Sequence, residues 1–218
     1  MDSIRDYDFD IIESIKAGWE YIYGVKIQFV VAFALYVAAA IMVQLVLGVV
    51  FPQGTTEAPN LLNQQIVGIL SYPILMPIMA GIIMMAIKYR RGEAVDFKSV
   101  FDYFYITGKL ALAGILIYIL TVIGMMLLIL PGIYVSVAYA FTIPLIVERD
   151  MDVWDAMELS RKTVTKHWFK VAGLIGLLSI IMFIGAIPFG IGLVWAIPLM
   201  FVTLYGLIYP VMFGSNVN

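Results

Sequence analysis

A cluster of basic and aromatic side chains in the later part of the chain is the group best suited to bind a ligand. Its members are Trp154, Arg161, Lys162, Lys166, Trp168 and Lys170. Basic residues beside a membrane gain about 1 kcal/mol each from anionic lipid, and tryptophan favours the membrane–water interface. The cluster therefore predicts membrane-interface or lipid-headgroup contacts. Because nearby acids such as Asp155 and Glu158 nearly cancel its charge, topology anchoring is the favoured interpretation and headgroup binding is the alternative.

Side chains that could catalyse a reaction inside a membrane are scarce. The chain has no cysteine, and its single histidine, His167, lies beside Trp168 at the edge of an apolar run. Acidic residues occur only outside the apolar runs, in loops or the expected interfacial helices, whereas intramembrane proteolysis and proton relays need titratable groups at membrane depth. The sequence thus predicts no catalytic residue, no metal site and no cofactor. The net charge of −2 argues against nucleic acid as a partner.

Long uncharged runs of the sequence separate the cluster from the other charged segments of the chain and would hold it at a membrane surface. The chain is 63% hydrophobic and 13% charged, against roughly 45–50% and about 25% in soluble domains. Because about 20 apolar residues cross a membrane, these runs predict a single all-α membrane domain over residues 1–218 with six transmembrane helices in three hairpins. The expected spans are 27–51, 66–87, 110–130, 133–147, 171–188 and 191–213.

Two of the runs are long enough to hold two helices each. We expect turns at Leu130-Pro131-Gly132 and at Ile187-Pro188-Phe189-Gly190, because proline interrupts a helical ladder and glycine permits a tight reversal. The fourth helix, 133–147, is then short at 15 residues. Local thinning of the bilayer would allow it to cross, and the alternative is a re-entrant segment.

Charge predicts the topology. All thirteen Lys and Arg residues fall in the N-terminal arm and two later loops, and only Glu57 of the fifteen acidic residues lies on the other side of three hairpins. The positive-inside rule then places the basic loops and both termini in the cytoplasm.

Two segments 145 residues apart resemble each other. Phe9-Asp10-x-Ile12-Glu13-x-x-Lys16 is matched by Trp154-Asp155-x-Met157-Glu158-x-x-Arg161. Apolar residues recur at helical spacing in the later copy, which predicts amphipathic interfacial helices at 8–24 and 152–168 on the cytoplasmic side. Together with the hairpins, they indicate an internal repeat.

The even-numbered spans carry prolines at related places. Pro77, Pro144 and Pro198 each lie within apolar sequence. Because proline removes one helical hydrogen bond and clashes with the preceding turn, we expect helix kinks at these positions.

Uncharged polar residues within the spans allow two interpretations. They include Gln44, Ser71, Tyr72, Thr121, Ser136, Tyr139, Thr142, Ser179, Thr203, Tyr205 and Tyr209. Hydrogen bonding between helices is the favoured interpretation, since such residues are ordinary in membrane bundles. The alternative is a lined groove for a lipid headgroup or a neutral solute.

From Leu130 onward the chain resembles a family of uncharacterised bacterial six-helix membrane proteins. The residues that carry the resemblance are Leu130-Pro131-Gly132-Ile133-Tyr134, Pro144-Leu145-Ile146-Val147-Glu148-Arg149, Ala156, Ser160-Arg161-Lys162 and Trp168. A similar module forms the membrane domain of some glycerophosphodiester phosphodiesterases, but the resemblance does not extend to a phosphodiesterase domain, so we do not expect that chemistry here. The resemblance implies a multi-pass protein of the bacterial cytoplasmic (inner) membrane, and it implies no catalytic residues.

Two functional hypotheses follow. The first is a non-enzymatic membrane protein that organises lipid or supports a membrane complex, with membrane lipids, another membrane protein or a second copy of itself as partners. The second is a transporter or flippase for a neutral or lipid-linked solute, which the repeated prolines favour.

Overall fold

The computed structural model describes residues 7–52, 54 and 60–214, and the regular elements of this part of the chain are helices joined by short turns. Its α-helices are α1 (Ile11–Tyr21), α2 (Lys26–Val50), α3 (Leu61–Arg90), α4 (Thr107–Leu127), α5 (Ile129–Ala138), α6 (Thr142–Arg149), α7 (Val153–Lys166), α8 (Trp168–Ala186), α9 (Leu193–Phe201) and α10 (Tyr209–Phe213). A π-helical segment, Val202–Ile208, joins α9 to α10. Short 3₁₀ helices lie at Ile22–Gly24, Phe97–Phe101 and Phe104–Ile106.

Six of these helical stretches are long and apolar enough to cross a membrane, which confirms the predicted six-span bundle. In chain order, the spans are Lys26–Val50, Leu61–Arg90, Phe97–Leu127, Ile129–Arg149, Trp168–Ala186 and Leu193–Phe213. Glu57 and the N-terminal Arg5 lie outside the described residues.

The fourth span differs from the prediction because its turn comes earlier. Leu128 is extended (φ −163°, ψ 150°), and Pro131 is the third residue of α5 rather than the end of α4. Proline is tolerated there because the first amides of a helix have no helical acceptor to lose. The span is consequently 21 residues long instead of 15 and needs no thinning of the bilayer.

The second, fourth and sixth spans form the interior of the bundle. Within their most apolar windows, 44%, 50% and 67% of residues are buried, against 11%, 28% and 17% in the first, third and fifth spans. Gly206 of the π segment lies so close to α3 that a Cβ would be 3.1 Å from the Ala86 carbonyl oxygen. The Phe141 ring of the fourth span packs on Tyr209 of the sixth, with centroids 6.2 Å apart.

Ion pairs join the loops at one end of the bundle, hereafter the basic end. Arg91 pairs with Glu148, Lys109 with Asp150 and Lys170 with Asp8, and each pair joins a helix end to a segment that lies outside that helix. The last residue of α2, the first residue of α3 and the hairpin turns at 128 and 187–192 lie at the opposite end, hereafter the far end.

Three elements at the basic end each cover an interior span. On α1, a Cβ at Gly18 would overlap Thr203 of the π segment, and on α3 a Cβ at Gly81 would overlap the Val100 backbone of the central 3₁₀ helix. The third element, α7, buries Met157 and Val164 against the fourth span. The apolar face of α7 that was predicted to lie on the membrane surface is therefore covered by protein, whereas α1 buries only Gly18 and leaves Ile12 54% exposed.

The fourth span breaks at Tyr139–Phe141, between α5 and α6. Pro144 has no amide hydrogen for the Ala140 carbonyl, which instead accepts a hydrogen bond from the Tyr205 hydroxyl at 3.3 Å. The Thr142 amide donates to Tyr139, and the Ala138 carbonyl accepts from the buried Ser160 hydroxyl of α7 at 2.8 Å. Side chains from two other elements thus replace the donors that the break removes.

We expect Ser160→Ala to lower the free energy of unfolding by about 1–3 kcal/mol, because it leaves the buried Ala138 carbonyl without a donor. The matched control is Ser179→Ala, whose hydroxyl donates only to Ile175 within its own helix and whose loss should cost less than about 0.5 kcal/mol. Reversible unfolding in mixed micelles measures both values. Equal losses for the two variants would contradict this role of Ser160.

Candidate functional site: a polar groove between the first three spans

A groove of about 270 Å³ opens between α2, α3 and α4. Its lining consists of Tyr36, Gln44, Gly68, Ser71, Tyr72, Leu75, Met76 and Tyr118. Tyr36 and Gln44 also line an adjoining shallow depression of about 510 Å³ on the outward face of α2, together with apolar residues such as Val37 and Ile41. The groove therefore combines a polar floor with an apolar approach from the lipid side.

The groove lies at membrane depth in the half nearer the far end. Gln44 is six residues before the last residue of α2, and Tyr72 is eleven residues after the first residue of α3. At 1.5 Å per residue, these positions are about 9 Å and about 16 Å from the respective helix ends. Both fall inside a hydrocarbon core of about 30 Å.

Some polar groups of the groove are satisfied by the protein and others are not. The Ser71 hydroxyl donates to the Val67 carbonyl at 2.7 Å, and the Tyr118 hydroxyl donates to Gln65. Within the described part of the chain, the Gln44 amide and the Tyr36 and Tyr72 hydroxyls have no hydrogen-bond partner. Since an unpartnered polar group in an apolar medium costs several kcal/mol, these three side chains are available to a polar ligand.

Close packing on α4 sets the position of Tyr72. A Cβ at Gly114 would overlap the Tyr72 ring, so the ring lies directly on bare backbone. The Tyr118 ring follows at a centroid distance of 6.0 Å. Toward the basic end, α3 is buried on all sides from Ala80 to Ile87. The groove is consequently a pocket open to the side and does not continue along α3 to the basic end.

The predicted interface cluster lies at the basic end, far from the groove. Arg161 and Lys162 both bind Glu158, at 2.8 Å and 3.1 Å, and Lys170 pairs with Asp8. Lys166 is the last residue of α7. The two tryptophans differ: Trp154 is 70% exposed, whereas Trp168 packs beside Tyr134 with ring centroids 6.1 Å apart. Acids of the protein thus pair with Arg161, Lys162 and Lys170, and lipid-headgroup contact at the cluster stays a prediction.

The N-terminal arm is held against this region by two contacts. The Tyr7 hydroxyl donates to the Thr163 carbonyl at 3.0 Å, and burial raises the pKa of Tyr7 to about 12. The hydrogen bond from Lys170 holds the pKa of Asp8 below its usual range. The arm therefore connects the α7–α8 junction to α1.

The three predicted kink prolines lie in the interior spans, outside the groove lining. Pro77 lies within the continuous helix α3, Pro144 in the first turn of α6, and Pro198 in α9, four residues before the π segment. Only at Pro144 is there a break in the helix just before the proline. A bend at each of the three positions stays a prediction.

Sequence reasoning missed a buried charge cluster. Glu148, expected in a loop, lies in the last turn of α6 with its side chain 4% exposed, and it pairs with Arg91 after α3. The next residue, Arg149, donates to the Phe213 carbonyl at the end of α10. These two residues link the fourth span to the second and the sixth. The adjacent opposite charges that end the apolar run 133–147 were the available signal.

Tyr36 and Tyr118 were also missed as groove residues. Gln44, Ser71 and Tyr72 stand out as polar residues in apolar spans, but tyrosine is common near membrane boundaries. Only the packing of three helices brings these five side chains together.

The six spans make this chain a multi-pass membrane protein. No protein-family model, curated protein or solved structure matches it. The resemblance of the residues from Leu130 onward to six-helix bacterial membrane proteins therefore stays a prediction.

We expect the stabilising effect of Glu158 to depend on pH. Hydrogen bonding to Arg161, followed by Lys162, holds the pKa of Glu158 below its usual 4.5 in the folded protein. Its contribution is then fully present above about pH 4.5 and is lost as pH falls through the lower folded pKa. Because the pair is partly exposed, Glu158→Gln should cost at most about 1 kcal/mol.

Thermal unfolding in detergent across this pH range measures the effect, with Glu20→Gln on the exposed face of α1 as the control. The gap between wild type and Glu158→Gln should close in acid. A gap that persists unchanged below the usual carboxyl pKa would contradict the assignment.

Proposed function

We propose that this chain is a non-enzymatic membrane protein that binds lipid and thereby organises lipid or supports a membrane complex. The observation that carries the proposal is the lateral groove, where the Gln44 amide and the Tyr36 and Tyr72 hydroxyls face lipid without a hydrogen-bond partner in the described residues. A ligand that enters from the bilayer would satisfy them. The groove lining has hydroxyls and an amide but no carboxylate, imidazole or amine, which favours binding over catalysis.

We further propose a bacterial cytoplasmic membrane with both termini cytoplasmic. The ion pairs that gather basic loops at one end of the bundle support this orientation, because the positive-inside rule concerns such loops. An internal repeat is supported by α1 and α7: Tyr21 and Lys166, the last residues of the two helices, are also 145 residues apart.

A transporter or flippase is the second candidate, and a specific feature favours it. The two irregular segments of the interior spans, the break at Tyr139–Phe141 and the π segment, lie beside Pro144 and Pro198. Such segments are frequent at functional sites and in transporters. Lipid or solute flux in vesicles with Pro198→Ala distinguishes the candidates, because a binding protein would show no flux in either form.

We expect Gly68→Leu to abolish lipid binding in the groove. Gly68 lines the groove, and a Cβ there meets no atom within 4 Å, so a leucine fills the space without displacing the helices. Gly176→Leu is the matched control, since Gly176 is also a helical glycine with no atom within 4 Å of a Cβ but lies on α8. Because both variants replace glycine, a poor helix former, by leucine, a good one, their effects on helix stability should be similar.

Native mass spectrometry of protein released gently from its own membrane measures the bound lipid. Wild type and Gly176→Leu should retain a stoichiometric lipid, and Gly68→Leu should lose it. Equal retention by both variants would overturn the groove as the lipid site. A co-released protein at fixed ratio would identify the complex that the chain supports.

A further inference from the structure

We infer that the groove takes an uncharged glycerolipid with a free hydroxyl, of the diacylglycerol class, rather than a phospholipid headgroup. This inference rests on the proposed lipid-binding function and specifies its ligand.

None of the described residues that line the groove is charged, which argues against a phosphate. The nearest basic residues along the lining helices are Lys26 on α2, Lys88 on α3 and Lys109 on α4. They are 18 residues from Gln44, 16 from Tyr72 and nine from Tyr118, or about 27, about 24 and about 14 Å along the helix axes. A phosphate at this depth would be desolvated without a cation, which is far costlier than burying a hydrogen-bonded neutral group.

The hydrogen-bonding capacity of the groove suits esters and a hydroxyl. The Tyr36 and Tyr72 hydroxyls and the Gln44 amide nitrogen can donate to ester carbonyl oxygens, which only accept. The Gln44 amide oxygen can accept from the free hydroxyl of the ligand. Ser71 already donates to Val67, and its oxygen keeps capacity to accept a second hydrogen bond.

The dimensions of the groove fit a small head with attached chains. At about 30 Å³ per water, a space of about 270 Å³ corresponds to about nine waters, enough for a glycerol backbone. The adjoining depression of about 510 Å³ is lined by Val37, Ala40, Ile41 and Leu45 beyond the shared polar pair, and it offers an apolar path for acyl chains. A diacylglycerol can also lie deeper in the bilayer than a phospholipid, because it has no charged group to keep at the interface.

The test uses the full chain in phosphatidylcholine vesicles that carry a photoactivatable diacylglycerol or, separately, a photoactivatable phosphatidylglycerol with the same acyl chains. We expect diacylglycerol to label peptides of α2 and α3 in preference to phosphatidylglycerol. Gln44→Leu and Tyr72→Phe should each lower this labelling about fivefold, which corresponds to about 1 kcal/mol for one hydrogen bond. Gln28→Leu on α2 and Tyr105→Phe at the basic end are matched controls outside the lining, and they should leave labelling unchanged.

Equal or stronger labelling by phosphatidylglycerol, sensitive to Gly68→Leu, would overturn the diacylglycerol assignment and leave lipid binding intact. If neither lipid labels the wild type more strongly than it labels Gly68→Leu, both the diacylglycerol assignment and lipid binding in the groove would be overturned. Undiminished labelling in Gln44→Leu and Tyr72→Phe would also overturn the assignment, provided that their detergent unfolding midpoints match those of the control variants.

Discussion

A backbone carbonyl inside a membrane must find its hydrogen-bond donor within the protein, and the arrangement of this bundle follows from that requirement. The break at Tyr139–Phe141 and the π segment lie in the interior spans, where other elements can supply donors. At the break in the fourth span, Ser160 and Tyr205 donate to the Ala138 and Ala140 carbonyls. The π segment of the sixth span, Val202–Ile208, is mostly buried against α1 and α3. The first and fifth spans, which face lipid most, carry no proline within their helices.

The same division between interior and exterior explains the buried charges. Glu148 lies at the end of an interior span and is covered by neighbouring elements, so it requires a partner, and Arg91 supplies it. Arg149 binds the last carbonyl of α10 and so closes a helix end that would otherwise lack donors. The basic end is therefore a cross-linked layer in which loops, α1 and α7 hold the interior spans together.

The groove is a lipid-facing place where polar side chains lack an internal partner, as do some buried groups elsewhere in the described residues, such as the Thr142, Thr203 and Tyr209 hydroxyls. Gln44, Tyr36 and Tyr72 present donors to a lipid-facing space, whereas the neighbouring Ser71 hydroxyl donates to the Val67 carbonyl. Polar groups without partners at membrane depth are costly, and a bound ligand would remove that cost. The closed packing of α3 toward the basic end favours a ligand that enters and leaves from the side, which is the geometry of lipid binding.

The sequence by itself determined the number of spans, the gathering of basic residues at one end and the all-helical class, because apolar length and charge act through composition along the chain. It also identified Gln44, Ser71 and Tyr72 as polar residues at depth. The sequence placed the turn before α5 at Leu130–Gly132, whereas it lies at Leu128. Proline is compatible both with the end of one helix and with the first turn of the next, so its position did not decide between them. Only tertiary structure decided which spans are interior, that α7 covers protein, that Glu148 is buried and that Tyr36 and Tyr118 join the groove. These outcomes depend on contacts between residues far apart in the chain, and helical periodicity carries no information about which helices become neighbours.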